Sequence, residues 1–177
     1  MPASAMMRKP AAGAAGAAIV IAIVGAAAIL GAFYFQYGLG LEPCPLCLEQ
    51  RIAYYFAVPL ALIVAFADSR GAPRALVTAA LVLIALAMLV NAGLGAYHAG
   101  IEWKFWPGPA DCPGPVTSLG RASDLMRQLR NVTIVRCDEA AWRFLGLSLA
   151  GYNVLISLAL AAIAVWGAVR TQRSPVS

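Results

Sequence analysis

Charge is the scarcest property of this chain. Only 12% of its 177 residues are Asp, Glu, Lys or Arg, against about a quarter in an ordinary soluble domain. That shortage excludes a water-soluble globule, because 62% of the residues are hydrophobic and they come in long runs. A one-signed field is also lacking. The formal net charge of +5 comes from scattered basic residues, several flanking apolar runs, so it reads as topology-setting charge and not as a nucleic-acid surface. No internal repeat is visible, which leaves a single membrane domain over residues 1–177.

Four apolar runs are present, at about 17–37, 48–67, 75–97 and 144–169. A membrane helix needs roughly 20 apolar residues. The second run is short and contains Pro59, but it can begin near Cys47 if Arg51 snorkels to the headgroups. The first run follows Arg8 and Lys9, as a cleaved secretory signal would. Its length, and its continuation into Phe33, Tyr34, Phe35 and Tyr37, favour a retained helix ending in an interfacial aromatic belt. The predicted fold is therefore an all-α bundle of four transmembrane helices, with outer loops at about 38–47 and 98–143.

Arg8 and Lys9, Arg70 and Arg74, and Arg170 and Arg173 mark one side as cytoplasmic, with both termini on it. The long loop carries Lys104, Arg121, Arg127, Arg130, Arg136 and Arg143, which cuts against that assignment. Three positions agree against one, and the outward orientation is kept. In that loop Trp103, Phe105 and Trp106 are placed at the interface, and four prolines bracket Cys112. After Thr117 and Ser118, the residues Leu119, Ala122, Leu125, Met126 and Leu129 fall on one face of a short helix. It lies either on the membrane surface or on the bundle.

Cysteine is sparse too, with four residues, and their positions carry the chemistry. Cys44 and Cys47 form a Cys-Pro-Leu-Cys stretch at the entrance to the second run; Cys112 and Cys137 lie in the long loop. An even count outside the membrane permits two disulfides, in any of three connectivities. Structural zinc ordinarily takes two close pairs, whereas 24 residues separate Cys112 from Cys137. Two pairs at the oxidising side of a membrane suggest electrons passing between thiols. Cys47 falls in the first turn of the second helix, where free N–H groups favour a thiolate, and Arg51 lies one turn on. His98, the only histidine, is placed at the end of the third helix near this redox site. Asn91 and Asn153 read as interhelical hydrogen-bonders, and Gly25, Gly31, Gly93, Gly95 and Gly151 either allow close helix packing or simply reflect the Gly- and Ala-rich composition of membrane helices.

These residues together resemble the DsbB family of bacterial inner-membrane disulfide bond formation proteins. The resemblance is carried by Pro43-Cys44-Pro45-Leu46-Cys47 with Glu49-Gln50-Arg51, by His98 followed by Trp103-Lys104-Phe105-Trp106-Pro107-Gly108-Pro109 and Cys112, and by Cys137-Asp138-Glu139 leading to Trp142-Arg143-Phe144-Leu145-Gly146-Leu147-Ser148. It implies four helices, a quinone cofactor (ubiquinone or menaquinone), and reoxidation of a periplasmic DsbA-like thiol oxidase. It further implies that Cys112, disulfide-paired with Cys137, meets the partner, that Cys44 and Cys47 reoxidise the outer pair, and that Cys47, Arg51 and His98 lie at the quinone. One departure stands out. The family's tyrosine-glutamate-arginine is Glu49-Gln50-Arg51 here, so the acid is displaced by one position. The competing readings are a paralogue dedicated to one DsbA-like partner, a vitamin K epoxide reductase-like enzyme, and a membrane scaffold with structural disulfides or zinc.

Overall fold

The computed structural model describes residues 13–108 and 137–173. Four long helices account for most of them: α1 (Ala14–Phe33), α2 (Pro45–Ser69), α3 (Arg74–Glu102) and α4 (Leu149–Arg173). A π-helical turn, Tyr34–Gly38, extends α1. All four are long and apolar enough to cross a membrane. α1 packs on α2, α2 on α3, α3 on α4, and α4 back on α1, closing an up-and-down ring.

Apolar periodicity alone does not say which side of each helix turns inward, because lipid tolerates apolar residues on every other side. Small residues decide it instead. Along α1 the buried positions Ala14, Ala17, Ala18, Ile21, Ala22 and Gly25 fall at helical spacing on one face. A Cβ on Gly167 of α4 would stand 2.7 Å from that of Ala17, and one on Gly25 would stand 2.7 Å from Val58 Cγ2 of α2. Leu81, Ile84, Met88 and Leu160 fill the space between these close approaches.

The helix ends differ from the sequence expectation in ways that matter for the site. α2 begins at Pro45 and not near residue 48, because Cys44 caps it and Pro45 supplies a pre-set φ at the first helical position. α3 continues past Tyr97 to Glu102, so His98 is inside the helix and not at the head of a loop. The fourth helix does not begin at Phe144. Arg143–Phe144 pairs antiparallel with Leu147–Ser148 around a tight turn in which Leu145 (φ 48°) and Gly146 (φ 83°) both have positive φ, as a two-residue type I′ turn requires. Ser148 then accepts the Gly151 N–H at 3.2 Å and starts α4. The short surface helix expected after Ser118, and Cys112 itself, lie outside the described residues.

Candidate redox site

The N-terminus of α2, the C-terminus of α3 and the start of α4 meet at one end of the bundle. Cys44 is the N-cap of α2; its Sγ accepts the Cys47 N–H at 3.2 Å and lies 2.7 Å from Cys47 Sγ. Both thiols are free. The capping contact corrects the expectation that Cys47 is the ionised sulfur. The free N–H groups of the first turn serve the residue before the helix, and that residue is Cys44. The contact from the Cys47 thiol, followed by the hydrogen bond from His98, outweighs the opposing cost of burial. Together they lower the Cys44 thiol from 9.0 to about 5. The lowered value favours the Cys44 thiolate at neutral pH.

His98 is buried, with Nε2 3.7 Å from Cys44 Sγ and Nδ1 3.0 Å from Gln50 Nε2. The tautomer follows from the surrounding bonds. Gln50 Nε2 also donates to the Leu46 carbonyl at 3.1 Å, and a carbonyl can only accept. The Gln50 amide group is thereby oriented as a donor, His98 Nδ1 accepts, and the neutral ring carries its proton on Nε2, facing Cys44. Gln50 Oε1 in turn accepts from Asn153 Nδ2 at 2.6 Å. Asn153 Oδ1 receives Tyr54 at 2.6 Å and Asn91 at 3.2 Å, and Asn91 also reaches Ser157 at 2.9 Å. The two asparagines are interhelical hydrogen-bonders as expected, and they form the far end of a chain of contacts leading to the thiols.

Gln50 was singled out in the sequence only as a departure, yet it fixes the histidine. Glu49 is exposed. Glu102 was missed entirely. It lies one turn after His98, is buried, and its Oε1 stands 3.9 Å from His98 Nε2. The i,i+4 spacing from the histidine was the available signal, but an acid beside a presumed loop carried no weight.

Arg51 makes a different contact from the one expected. Its guanidinium donates to Gln36 Oε1 at 2.6 Å and lies over the Phe33 ring, 5.6 Å from its centroid. The π-helical turn of α1 brings Gln36 into reach. Arg51, Cys47, Gln50, His98, Tyr54 and Asn153 line one side of a cavity of about 470 Å³ between α1, α2 and α4; Val24, Ala28, Gly31, Leu149 and Ile156 line much of the rest. An apolar cleft with a few converging polar groups suits a flat, lipid-soluble ligand with hydrogen-bond acceptors.

Cys137 is buried and disulfide-bonded, and it packs in one cluster with Cys44, Leu46, Ile101 and Cys47. Lys104 braces this segment, with Nζ 2.9 Å from the Asp138 carboxylate. One bonded and two free sulfurs therefore sit side by side. Cys44, Cys47 and His98 offer three ligand atoms within 4.8 Å of one another. Two thiolates on one tetrahedral zinc at about 2.3 Å each would stand about 3.8 Å apart, so the 2.7 Å spacing fits a pair poised for disulfide chemistry better than a pair of metal ligands.

The chain matches the family model "Disulfide bond formation protein DsbB" over residues 14–167. It is 33% identical over 145 residues to a "Disulfide bond formation protein B" of Xanthomonas oryzae pv. oryzae, covering 81% of this chain and 83% of the relative. Proteins of the same name from a Polaromonas species (33%, covering 81% and 86%) and Marinobacter nauticus (30%, covering 77% and 80%) are also similar. With its four apolar helices and its thiols gathered at one end of the bundle, the chain belongs to the DsbB family, as a multi-pass inner-membrane oxidoreductase of disulfide bond formation.

Proposed function

We propose that this protein reoxidises a periplasmic DsbA-like dithiol oxidase and passes the electrons to membrane quinone. The observation that carries the reading is the position of Cys47. Its sulfur pairs with Cys44, which packs against disulfide-bonded Cys137, and it also lines the apolar cavity. A thiol relay and a lipid-soluble acceptor meet at that residue.

The cavity suits a quinone ring. Arg51 and Asn153 carry donors that could meet its carbonyl oxygens, and the α1 face supplies apolar surface. Bound there, the quinone would supply a two-electron, two-proton acceptor. A strong oxidant such as DsbA, at about −120 mV, needs an acceptor of that kind, because a glutathione pool lies well below it. The protein's own part is thiol exchange. The partner's thiolate attacks the outer disulfide, which the family resemblance assigns to Cys112 and Cys137. The released outer thiolate then attacks a Cys44–Cys47 disulfide, and two electrons arrive on the inner pair as each S–S bond is exchanged.

The orientation proposed from the loops also has support. Arg70, Arg74, Arg170 and Arg173 sit at the bundle end opposite the cysteines, so the basic end is cytoplasmic and the thiols are periplasmic.

Anaerobic incubation of the purified protein with a reduced DsbA-like protein and ubiquinone or menaquinone tests the reading. One quinol should form per partner disulfide. Arg51→Ala should weaken the apparent quinone affinity about tenfold, the loss expected for one charge-assisted hydrogen bond, while exchange with the partner persists. Partner oxidation that proceeds without quinol formation would contradict the proposal.

A further inference from the structure

We propose that Glu102 is the site where the reduced protein stores the proton given up by Cys44, with His98 standing between the two. The inference rests on the thiol-to-quinone reading and deepens it. Glu102 is buried at the end of α3 and is not among the residues lining the cavity. Its carboxyl is held by the Ser148 hydroxyl, with Arg143 nearby. Oε1 stands 3.9 Å from His98 Nε2, while Oε2 has no hydrogen-bond partner among the described residues. A buried carboxylate oxygen with no donor can take a proton without breaking a contact.

His98 stands between the two groups. Its Nε2 faces Cys44 Sγ at 3.7 Å and Glu102 Oε1 at 3.9 Å, while Gln50 holds Nδ1 as an acceptor. With Nδ1 so held, the ring keeps its one proton on Nε2, between the sulfur and the carboxyl, where it can hydrogen-bond whichever of the two carries the negative charge. The charged or titratable groups facing Glu102 are His98 on its own helix, Cys44 and Cys47 at the start of α2, and Arg143 on the hairpin.

The balance is as follows. Reduction of the Cys44–Cys47 disulfide brings two electrons and two protons. One proton rests on Cys47 Sγ, Cys44 remains a thiolate, and the second proton goes to Glu102. On reoxidation the S–S bond forms and two electrons leave to the quinone. The Cys47 proton and the Glu102 proton leave with them, and a quinone bound in the cavity would become the quinol. Without such a store, a thiolate next to the quinone site would lack one of the two protons needed.

Infrared difference spectra of the quinone-free protein, dithiol minus disulfide, test this directly. A protonated-carboxyl stretch should appear on reduction, shift in heavy water, vanish in Glu102→Gln and move in frequency in Glu102→Asp. In parallel, single-turnover quinone reduction should slow about a hundredfold in Glu102→Gln and recover partly in Glu102→Asp. A wild-type spectrum with no such band, or a band that persists unchanged in both variants, overturns the proposal. Quinone reduction by Glu102→Gln at the wild-type rate and pH profile overturns it too. If the wild-type protein reduces no quinone, the functional reading fails and the proposal falls with it, whereas a failure at Glu102 alone leaves that reading standing.

Discussion

At the scale of single residues, the site is an asymmetric thiol pair. Cys44 takes the helix-capping N–H and the imidazole, and Cys47 faces the cavity. Residue type and spacing single out the cysteines, Arg51 and His98, and the structure brings Cys44, Cys47, Cys137, Arg51 and His98 to one end of the bundle. Their division of labour was not legible in the sequence, because the free N–H groups of a helix start serve its cap, and whether Cys44 or a later residue is that cap is a one-turn question. Gln50 and Glu102 were illegible for another reason: amides and acids near the end of an apolar run look like solvent-facing residues until burial shows otherwise. The lowered Cys44 thiol gives a prediction with a definite sign. A thiol alkylates as its thiolate, which persists above the pKa and is lost below it. In the reduced, quinone-free protein, Cys44 alkylation should hold level from neutral pH to about pH 6 and fall through a midpoint at about 5. Cys47→Ala should move the midpoint up further than His98→Ala does, since the Cys47 contact is the larger cause. A wild-type midpoint near the ordinary 9.0 would contradict the assignment.

At the scale of elements, the four helices were readable from run length alone, and their ends were not. α3 runs five residues past its expected end at Tyr97, to Glu102, because amphipathic polar residues at an interface continue a helix as readily as they leave one. The hairpin before α4 was hidden in Phe144-Leu145-Gly146-Leu147-Ser148, which scores as apolar. The glycine with positive φ and the serine cap were the signals, and hydropathy ignores both. Close packing was only half legible from glycine. Gly95 is pressed against α4, where an added Cβ would stand 3.0 Å from Asn153 Nδ2 and Val154 Cγ2, whereas Gly93 has nothing within 4 Å. Gly95→Leu should therefore cost about 1–3 kcal/mol by overpacking and loosen Asn153 from Gln50. Thermal unfolding in detergent should show a lowered midpoint for Gly95→Leu and little change for Gly93→Leu. Equal effects would mean that α3 and α4 do not meet as described.

At the scale of the whole molecule, the ring of helices separates two ends with different chemistry. The basic end carries Arg70, Arg74, Arg170 and Arg173, and the other gathers the cap of α2, the end of α3, the hairpin and Cys137. Charge asymmetry tells the two ends apart in the sequence, even though the long loop's own basic residues oppose the orientation it suggests. The meeting of Cys137 with Cys44 could not be read from sequence, since no local pattern ties residues that far apart. That meeting makes Cys47 the only described cysteine that joins the thiol cluster to the cavity. The most direct test is therefore a single-turnover experiment on Cys47→Ser with a reduced DsbA-like partner and excess quinone, following partner disulfide and quinol together. The account predicts one round of exchange between the partner and the outer disulfide, with no quinol. Quinol formed by Cys47→Ser at the wild-type yield would contradict it.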